Sequence, residues 1–245
     1  MFNMGKRGPK PKKLIETKWS ANLAYAIGLL ATDGCIARGT TLVDLTSKDR
    51  EQLDNFNYCI GLKLKIGSKI SGYGKFTLRV QIKNRIFYDF LVSIGFTAAK
   101  SKTIGQIKIP DQYYFDFLRG CFDGDGSFYS YWDKRWKSSF MFYLQFASAS
   151  KEHIQWIRSQ LSSLLKVRGH VSKKDSESTY QLRYAKKESL IILDKMYHSK
   201  NVICLSRKRL KIGRALGSIG LSVKHLSRST RQNNARVLKL VDKHP

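Results

Sequence analysis

Residues 26–34 of this chain read AIGLLATDG, and residues 118–126 read LRGCFDGDG, so one nine-residue pattern occurs twice. Each copy is an apolar run with a glycine in its middle, and each ends at Asp-Gly. Aligning the two copies places Asp33 on Asp125. A single Asp-Gly is a common turn. Two copies at the same step of matching patterns indicate a duplicated half-domain that supplies one acid from each half.

The chain carries a large excess of positive charge. Its 245 residues include 45 Lys and Arg against 18 Asp and Glu, which gives a formal net charge of +27. Such an excess destabilises a compact protein through self-repulsion, and its usual purpose is to bind a polyanion. We therefore expect nucleic acid as the partner. A membrane-surface protein is disfavoured, because the sequence has neither a long apolar span nor a lipidation signal.

The cysteines and the N-terminus indicate a reducing, intracellular compartment. The four cysteines are widely spaced and form no C-x-x-C pair, so the sequence predicts neither a zinc site nor a disulfide framework. The N-terminus is basic but lacks the apolar core of a signal peptide.

The two patterns predict helices that pack closely against each other. Gly28 and Thr32 lie one turn apart in the first copy, as Gly120 and Gly124 do in the second. A glycine in the middle of a helix costs roughly 1 kcal/mol relative to alanine. That cost is understandable if the glycines let two helix backbones touch. Each helix is expected to end at its Asp-Gly, with Gly34 in a left-handed C-terminal conformation.

The rest of the chain predicts the order helix, hairpin, helix, hairpin, helix in each half. In the first half, helices are expected up to residue 33 and at 47–62 and 84–95, with strands at 40–46 and 75–83. In the second half, helices are expected at 110–124, 151–165 and 188–197, with strands at 127–131, 140–146, 167–172 and 179–185. Residues 206–245 are compatible with an added helix, 235–241 being a candidate, or with a basic arm.

Residues 75–83, KFTLRVQIK, form the clearest strand pattern. Apolar and polar residues alternate throughout, which predicts one core face and one polar face. The same alternation in residues 179–185 predicts matching positions for Arg79 and Arg183. The predicted core face of 75–83 consists of Phe76, Leu78, Val80 and Ile82.

Paired acids at two helix ends predict a metal site. An Asp at a helix C-terminus is locally unfavourable, because the helix dipole already places partial negative charge there. Two such ends side by side form an all-oxygen, negative cluster, for which a hard divalent cation such as Mg²⁺ is the natural remedy. The predicted ligands are Asp33 and Asp125, with Thr32 and Gly124 at the free carbonyls. The alternative is that each Asp-Gly is only a helix-terminating turn.

Metal held by carboxylates in a protein that grips polyanions indicates phosphodiester hydrolysis. The five histidines show no clustering, so nothing argues for a protein nucleophile. Lys83 and Lys187, or its neighbour Lys186, are candidates to neutralise charge on the reacting phosphate. Gln145 aligns roughly with Asp44 and is a candidate to orient water.

With these residues in place, the chain resembles a LAGLIDADG homing endonuclease of the single-chain kind with two motif copies. The resemblance covers about residues 20–200. The second copy matches the motif strongly, and the first is looser but keeps Asp33. The resemblance implies an α+β fold of two pseudo-symmetric α-β-β-α-β-β-α halves, with the motif helices at the centre and a saddle of antiparallel sheets over DNA. It also implies that Asp33 and Asp125 bind the metal.

The family resemblance further implies an activity and its setting. An intron-encoded monomer cuts both strands of a long asymmetric DNA target and leaves 3′ overhangs. Mg²⁺ is the expected cofactor, with Mn²⁺ able to substitute and Ca²⁺ able to bind without supporting cleavage. The protein is expected inside a bacterial, phage-infected or organellar compartment, with the DNA that it cuts. The expected organisation is a basic tail at 1–16, halves at 17–98 and 110–200 joined by a linker at 99–109, and a basic extension at 201–245.

The strand faces contain the candidates for contact with base edges and phosphates. Arg is suited to guanine, and Gln is suited to adenine. The predicted DNA-binding residues are Lys75, Thr77, Arg79, Gln81, Ser127, Tyr129, Tyr131, Lys137, Ser139, Tyr143, Arg168, His170, Gln181 and Arg183.

Two other functions share the charge and the repeat. An RNA-binding maturase reuses the same fold to help an intron splice, with intron RNA as its partner. A non-cleaving DNA-binding regulator would need a separate reading module, for which residues 200–245 offer room. Retention of both Asp33 and Asp125 favours the nuclease. An intein is disfavoured, because no splicing-domain sequence flanks the motifs.

Overall fold

The computed structural model describes residues 12–70, 74, 76–136, 138–173 and 178–220. The first half contains α1 (Ala21–Asp33), β1 (Gly34–Ile36), β2 (Leu42–Ser47), α2 (Arg50–Cys59), β3 (Gly67–Ile70), β4 (Phe76–Lys83) and α3 (Arg85–Ser93). The second half contains a 3-10 turn (Asp111–Tyr113), α4 (Tyr114–Asp125), β5 (Ser127–Trp132), β6 (Phe140–Ser148), α5 (Lys151–Leu165), β7 (His170–Ser172), β8 (Tyr180–Ala185) and α6 (Lys186–Met196). Helix α7 (Ser206–Gly217) follows. The expected α+β class and the repeated element order are confirmed.

Each half forms a four-stranded antiparallel sheet within the described ranges. The strand orders are β1-β2-β4-β3 and β5-β6-β8-β7, so the two sheets share one topology. Side chains alternate between a buried face and a half-exposed face, as in Val43, Leu45 and Ser47 against Asp44 and Thr46. The half-exposed face of each sheet is called its open face below. The helices and the buried strand faces form one hydrophobic core.

Short polar side chains start several of the helices. The hydroxyl of Ser20 accepts a hydrogen bond from the Leu23 amide at 3.1 Å, and the Asn84 side chain accepts one from the Phe87 amide at 2.9 Å. Each cap satisfies an amide of the first turn that has no partner within its helix.

Helices α1 and α4 are packed backbone against backbone at their glycines. A methyl group on Gly120 would lie 2.9 Å from the Gly28 Cα, and one on Gly28 would lie 2.8 Å from the Cys121 amide nitrogen. Neither position therefore has room for any side chain. The expected role of the mid-helix glycines is confirmed, and the contact brings the two motif ends together.

Gly34 ends α1 for a different reason from the one expected. Its φ of −86° and ψ of 159° are extended, and Gly126 has the same conformation at the end of α4. The left-handed prediction is therefore wrong. A methyl group on Gly34 would lie 2.7 Å from the Leu30 Cα. Glycine is needed because β1 leaves the helix too close to its last turn for a side chain.

Several strand predictions need correction at their ends. Phe76 was expected in the core but is 63% exposed, because it lies at the outer end of β4, where its strand partner Ile70 is 72% exposed. The strand expected at 167–172 begins only at His170, and the helix expected at 188–197 begins at Lys186. Part of the C-terminal extension is helical, as α7. The candidate helix at 235–241 and most of the N-terminal tail lie outside the described residues.

Within the described ranges, no helix combines the length and apolar character needed to cross a membrane. The expected domain limits at 17–98, 99–109 and 110–200 stay predictions.

Candidate active site and nucleic-acid interface

The two motif acids end their helices side by side. Asp33 is the last residue of α1, and Asp125 is the last residue of α4. A methyl group on Gly124 would lie 2.9 Å from the Asp33 Oδ2 and 2.7 Å from the Thr32 Cβ. The end of α4 therefore lies directly against the Asp33 carboxylate, and the missing side chain of Gly124 leaves that carboxylate its space.

Burial makes both carboxylates hard to ionise. Burial raises the pKa of Asp33 to about 6, and the negative charge of Asp125 adds to the rise. Burial also raises the pKa of Asp125 above its ordinary value. A hydrogen bond from Gln52 and the positive charges of Lys100 and Lys208 oppose the rise at Asp33. Two acids held together in this way form a site that favours a cation.

Two buried lysines donate hydrogen bonds to the backbone carbonyls at these helix ends. The Lys100 Nζ donates to the carbonyl oxygens of Ala31 at 2.7 Å and Thr32 at 3.0 Å. The Lys208 Nζ donates to those of Gly126 at 2.7 Å and Gly124 at 3.1 Å. Each lysine thereby satisfies carbonyls that a helix end leaves without partners.

The charges of the two acids also act on the pKa of each lysine. Burial lowers the pKa of both lysines, that of Lys208 to about 8, while the charges of Asp33 and Asp125 act in the opposite direction. The four side chains therefore form one cluster of two acids and two bases, described below as the central cluster.

Lys100 and Lys208 are not among the site residues predicted from the sequence. A signal was present, because KSK at 100–102 and SRKR at 206–209 occur at the corresponding exits of the two halves. Only the folded chain shows that these exits return to the motif helices. Lys100 lies 69 residues from Ala31 along the sequence, and Lys208 lies 82 from Gly126.

The central cluster fits a divalent cation only in part. The described residues contain no group of three or more His, Cys, Asp or Glu side chains that could hold a metal. Two carboxylates leave most of the coordination shell of Mg²⁺ open, as at sites that use substrate phosphates and waters for the rest. The carbonyls of Thr32 and Gly124, predicted as further ligands, accept hydrogen bonds from the two lysines. Their metal-binding role stays a prediction.

Of the other predicted catalytic residues, Gln145 lies on β6 of the second sheet. Gln145 pairs with Ser127, as Asp44 pairs with Cys35, which confirms the rough alignment of Gln145 with Asp44. Both residues belong to open faces.

The two predicted basic residues do not occupy equivalent positions. Lys83 is the last residue of β4, and by strand pairing its counterpart is Ala185. Lys187 is the second residue of α6. The main positive charges that act on the pKa of the two motif acids are those of Lys100 and Lys208. The catalytic roles of Lys83 and Lys187 stay predictions.

Strand pairing corrects the expected match between Arg79 and Arg183. Because Asp44 and Gln145 correspond, their partners Gln81 and Arg183 also correspond. Arg79 then matches Gln181. The prediction was wrong by two residues. A two-residue shift leaves every side chain on the same face, so alternation in the sequence cannot reveal it.

The open face of the first sheet contains a paired charge. The Arg79 guanidinium forms two hydrogen bonds with the Asp44 carboxylate, and its Nε lies 3.2 Å from the Asp44 Oδ1. Gln81 and Lys83 continue the face along β4 and are exposed. The positive charge of Arg79 is therefore neutralised within the sheet.

The open face of the second sheet is aromatic. The rings of Tyr129 and Tyr143 stack at 5.1 Å, and Tyr131 stacks on Tyr143 at 6.3 Å. The Arg183 guanidinium lies 5.7 Å from the centre of the Tyr129 ring. The buried Arg183 Nε has no hydrogen-bond partner among the described atoms. Unlike Arg79, Arg183 forms no ion pair within the described part of the chain.

The remaining predicted DNA-binding residues are distributed as follows. Thr77 and Ser139 donate hydrogen bonds to the Lys69 carbonyl and the Met141 sulfur, at 3.1 and 3.6 Å. Arg168 lies in the loop before β7, and His170 pairs with Arg183. Lys75 and Lys137 lie outside the described residues.

Comparison with known proteins identifies the architecture. No protein-family model matches the sequence, and no curated protein matches it. The homing endonuclease I-WcaI bound to its DNA recognition sequence is similar in structure, with a TM-score of 0.56 and 16% identity over 85% of this chain and 95% of that one. The meganuclease I-SmaMI bound to uncleavable DNA gives a TM-score of 0.56 and 15% identity over 91% and 99%.

A third structural neighbour is not named as an endonuclease. The N-terminal LAGLIDADG domain of DUF199/WhiA gives a TM-score of 0.51 and 15% identity over 80% of this chain and 88% of that one. At such identities, similarity establishes the fold alone. This chain therefore has the LAGLIDADG fold.

Proposed function

We propose that this protein is a site-specific DNA endonuclease that hydrolyses both strands of a long asymmetric target in a divalent-metal reaction. One observation carries the proposal: the acids of the two halves, Asp33 and Asp125, adjoin each other between the two buried lysines of the central cluster. Two adjoining buried acids whose ionisation is unfavourable are typical of a reaction site, whereas binding without cleavage does not require them. The resemblance to homing endonucleases adds 3′ overhangs, an intron-encoded gene and action as a monomer.

The residues of the central cluster divide the chemistry among themselves. Asp33 and Asp125 would hold Mg²⁺ together with phosphate oxygens of the DNA. When bound, the metal polarises the phosphate, stabilises the leaving oxygen and makes coordinated water more acidic. Lys100 and Lys208 lie beside the acids and would balance the charge that develops on the phosphate in the transition state. The tight packing of α1 and α4 holds the two acids in place. The entropy cost of positioning the reacting groups is therefore met before the reaction begins.

The open faces would supply the recognition of DNA. Arg183 on the second sheet is of the residue type suited to guanine, and Gln81 on the first sheet is of the type suited to adenine. The stacked Tyr129 and Tyr143 present hydroxyls and ring edges to the same surface. Because the two faces differ in composition, they would read different half-sites, which fits a target without palindromic symmetry.

A cleavage selection tests the proposal. Duplexes recovered from a random library after incubation with Mg²⁺ would give the target, and the wild-type protein should cut both of its strands. Replacing Mg²⁺ by chelator should abolish cutting. Asp33→Asn and Asp125→Asn should bind the target but leave it intact. Asp89→Asn, at an exposed ion pair on α3, is the matched control and should cut at the wild-type rate.

The selection also separates the rival functions. Full cleavage by either helix-end variant would overturn the two-acid reaction. No cleavage of any duplex, together with tight binding to intron RNA, would identify a maturase instead. Tight binding to one duplex without cleavage in any divalent metal would identify a non-cleaving binder.

A further inference from the structure

The third residue of the helix after the second strand is Gln52 in the first half and His153 in the second. Helices α2 and α5 occupy the same place in their halves, each following the second strand of its sheet. Their N-caps are Asp49 and Ser150, so Gln52 and His153 are both third residues of a first turn. Both side chains are almost completely buried. Two equivalent buried positions therefore contain different polar groups.

Gln52 holds the Asp33 carboxylate. Its Nε2 donates a hydrogen bond to the Asp33 Oδ2 at 2.6 Å, and its Oε1 accepts one from the Ser47 hydroxyl at 3.0 Å. The Ser47 oxygen in turn accepts from the Asp49 amide at 3.0 Å. A carboxylate can only accept, so the amide has one possible orientation. A buried hydrogen-bond chain thus runs from the start of α2 to Asp33.

The second half contains the first hydrogen bond of this series but not the last one, to the motif acid. The Ser148 oxygen accepts from the Ser150 amide at 3.1 Å, which repeats the Ser47 contact. His153 instead places its Nδ1 2.8 Å from the Gly105 carbonyl oxygen. A carbonyl can only accept, so Nδ1 carries the proton, and Nε2 has no partner among the described atoms. Among the described residues, nothing donates a hydrogen bond to Asp125.

We infer that Gln52 is a positioning residue that makes the two acids unequal, so that the two strands of a bound duplex are cut at different rates. This inference rests on the proposed function. A carboxylate fixed by a buried donor loses less freedom when it binds a cation, and loss of such a supporting contact costs typically 10- to 100-fold in affinity or activity. Asp33 has that support and Asp125 lacks it. The strand served by Asp33 is therefore cut first.

Strand-resolved cleavage of the selected target tests the inference. With each strand labelled separately, the wild type should accumulate duplex nicked in one strand. Gln52→Met keeps the size of the side chain but removes the donor, and it should slow that strand by about 10- to 100-fold while changing the other less than about 3-fold. His153→Leu is the matched control and should leave the ratio of the two rates unchanged.

Binding of Ca²⁺ alone gives a readout independent of cleavage. Calorimetry on the protein with its target duplex should show two Ca²⁺ affinities in the wild type, of which Gln52→Met weakens only one, by about 10-fold or more. His153→Leu should weaken neither. If Gln52→Met fails to fold, Gln52→His installs the residue of the second half and should make the two affinities more alike.

Failure of this inference is distinguishable from failure of the proposed function. Equal rates on the two strands in the wild type, or equal slowing of both strands in Gln52→Met, would overturn the inference and leave the endonuclease intact. An equal change in the strand ratio for His153→Leu would also overturn it. A wild type that neither cuts a duplex nor binds Ca²⁺ would overturn the proposed function, and the inference with it.

Discussion

The central helices keep a symmetry that the two sheets have lost. At the centre, both halves contribute a glycine contact, a helix-end acid and a buried lysine on the helix carbonyls. On the open faces, an Arg79–Asp44 ion pair in one half corresponds to Gln181 and Gln145 in the other. The difference indicates two separate demands. The same chemistry on two strands requires matching centres, whereas an asymmetric target requires different faces.

Removal of one central acid should have the largest effect. If both acids are needed, Asp33→Asn or Asp125→Asn should reduce double-strand cleavage by at least about 1000-fold, because a lost ligand removes both the metal and its positioning. The effect should be similar for the two positions. Quantitative cleavage kinetics on the selected target provide the measurement. A variant that retains double-strand cleavage would show that the central symmetry is not functional.

A side chain placed between α1 and α4 should destabilise the folded protein. A methyl group on Gly120 meets the α1 backbone, so Gly120→Ala should lower the free energy of unfolding by about 3 kcal/mol or more. Gly213→Ala on α7 is the control, because nothing lies within 4 Å of its added methyl. That control should stabilise the protein by about 0.5 to 1 kcal/mol. Denaturant unfolding of the three proteins measures both changes. Equal effects would contradict the packing argument.

The raised pKa of Asp33 predicts a pH dependence of cleavage. The proposed reaction needs the ionised carboxylate, and burial sets its pKa at about 6 in the folded protein. At a Mg²⁺ concentration that does not saturate the site, cleavage should therefore fall as the pH drops through about 6, because the proton competes with the metal for the carboxylate. Rates measured from pH 4.5 to 8 on prebound target check this. A rate that is flat between pH 5 and 7 would contradict the assignment.

The same pKa predicts a change in stability with the opposite sign. Between about pH 4 and 6 the folded protein binds a proton at Asp33 that the unfolded chain does not, so this acid makes the protein more stable as the pH falls. Asp33→Asn should then be more stable than the wild type by about 1 to 2 kcal/mol at pH 7.5, with the difference vanishing near pH 4. Unfolding curves at both pH values provide the test. An Asn variant that is less stable at pH 7.5 would refute the buried-charge explanation.

The open faces should give the smallest effects, and the two arginines should differ. Arg183 has no ion pair within the described residues, so Arg183→Ala should weaken target binding by about 5- to 50-fold and relax preference at one base pair. Arg79→Ala should relax base preference less, because Asp44 already accepts the hydrogen bonds that the Arg79 guanidinium would otherwise offer to a base. Binding titrations against single-base variants of the target measure both. Equal losses of base preference would show that the ion pair opens when DNA binds.

The sequence predicted the outline of the site through its duplication. Asp33 and Asp125 were identifiable because a nine-residue pattern repeats, and the mid-helix glycines were identifiable because they are costly without a close contact. The alternation in β4 predicted a strand with two faces. These are local features of the chain, in which spacing alone determines which side chains share a face.

The tertiary structure decided the partners of those acids. Lys100, Lys208 and Gln52 reach the motif ends from 19 to 84 residues away, and no local pattern encodes such contacts. The match of Arg183 with Gln81 depended on strand register. Alternation with a period of two residues cannot reveal a shift of two residues in that register. By itself, the sequence determined the fold class, the paired acids and the excess of positive charge. Only folding decided which lysines balance those acids and which acid a glutamine holds, because those contacts exist only where distant segments meet.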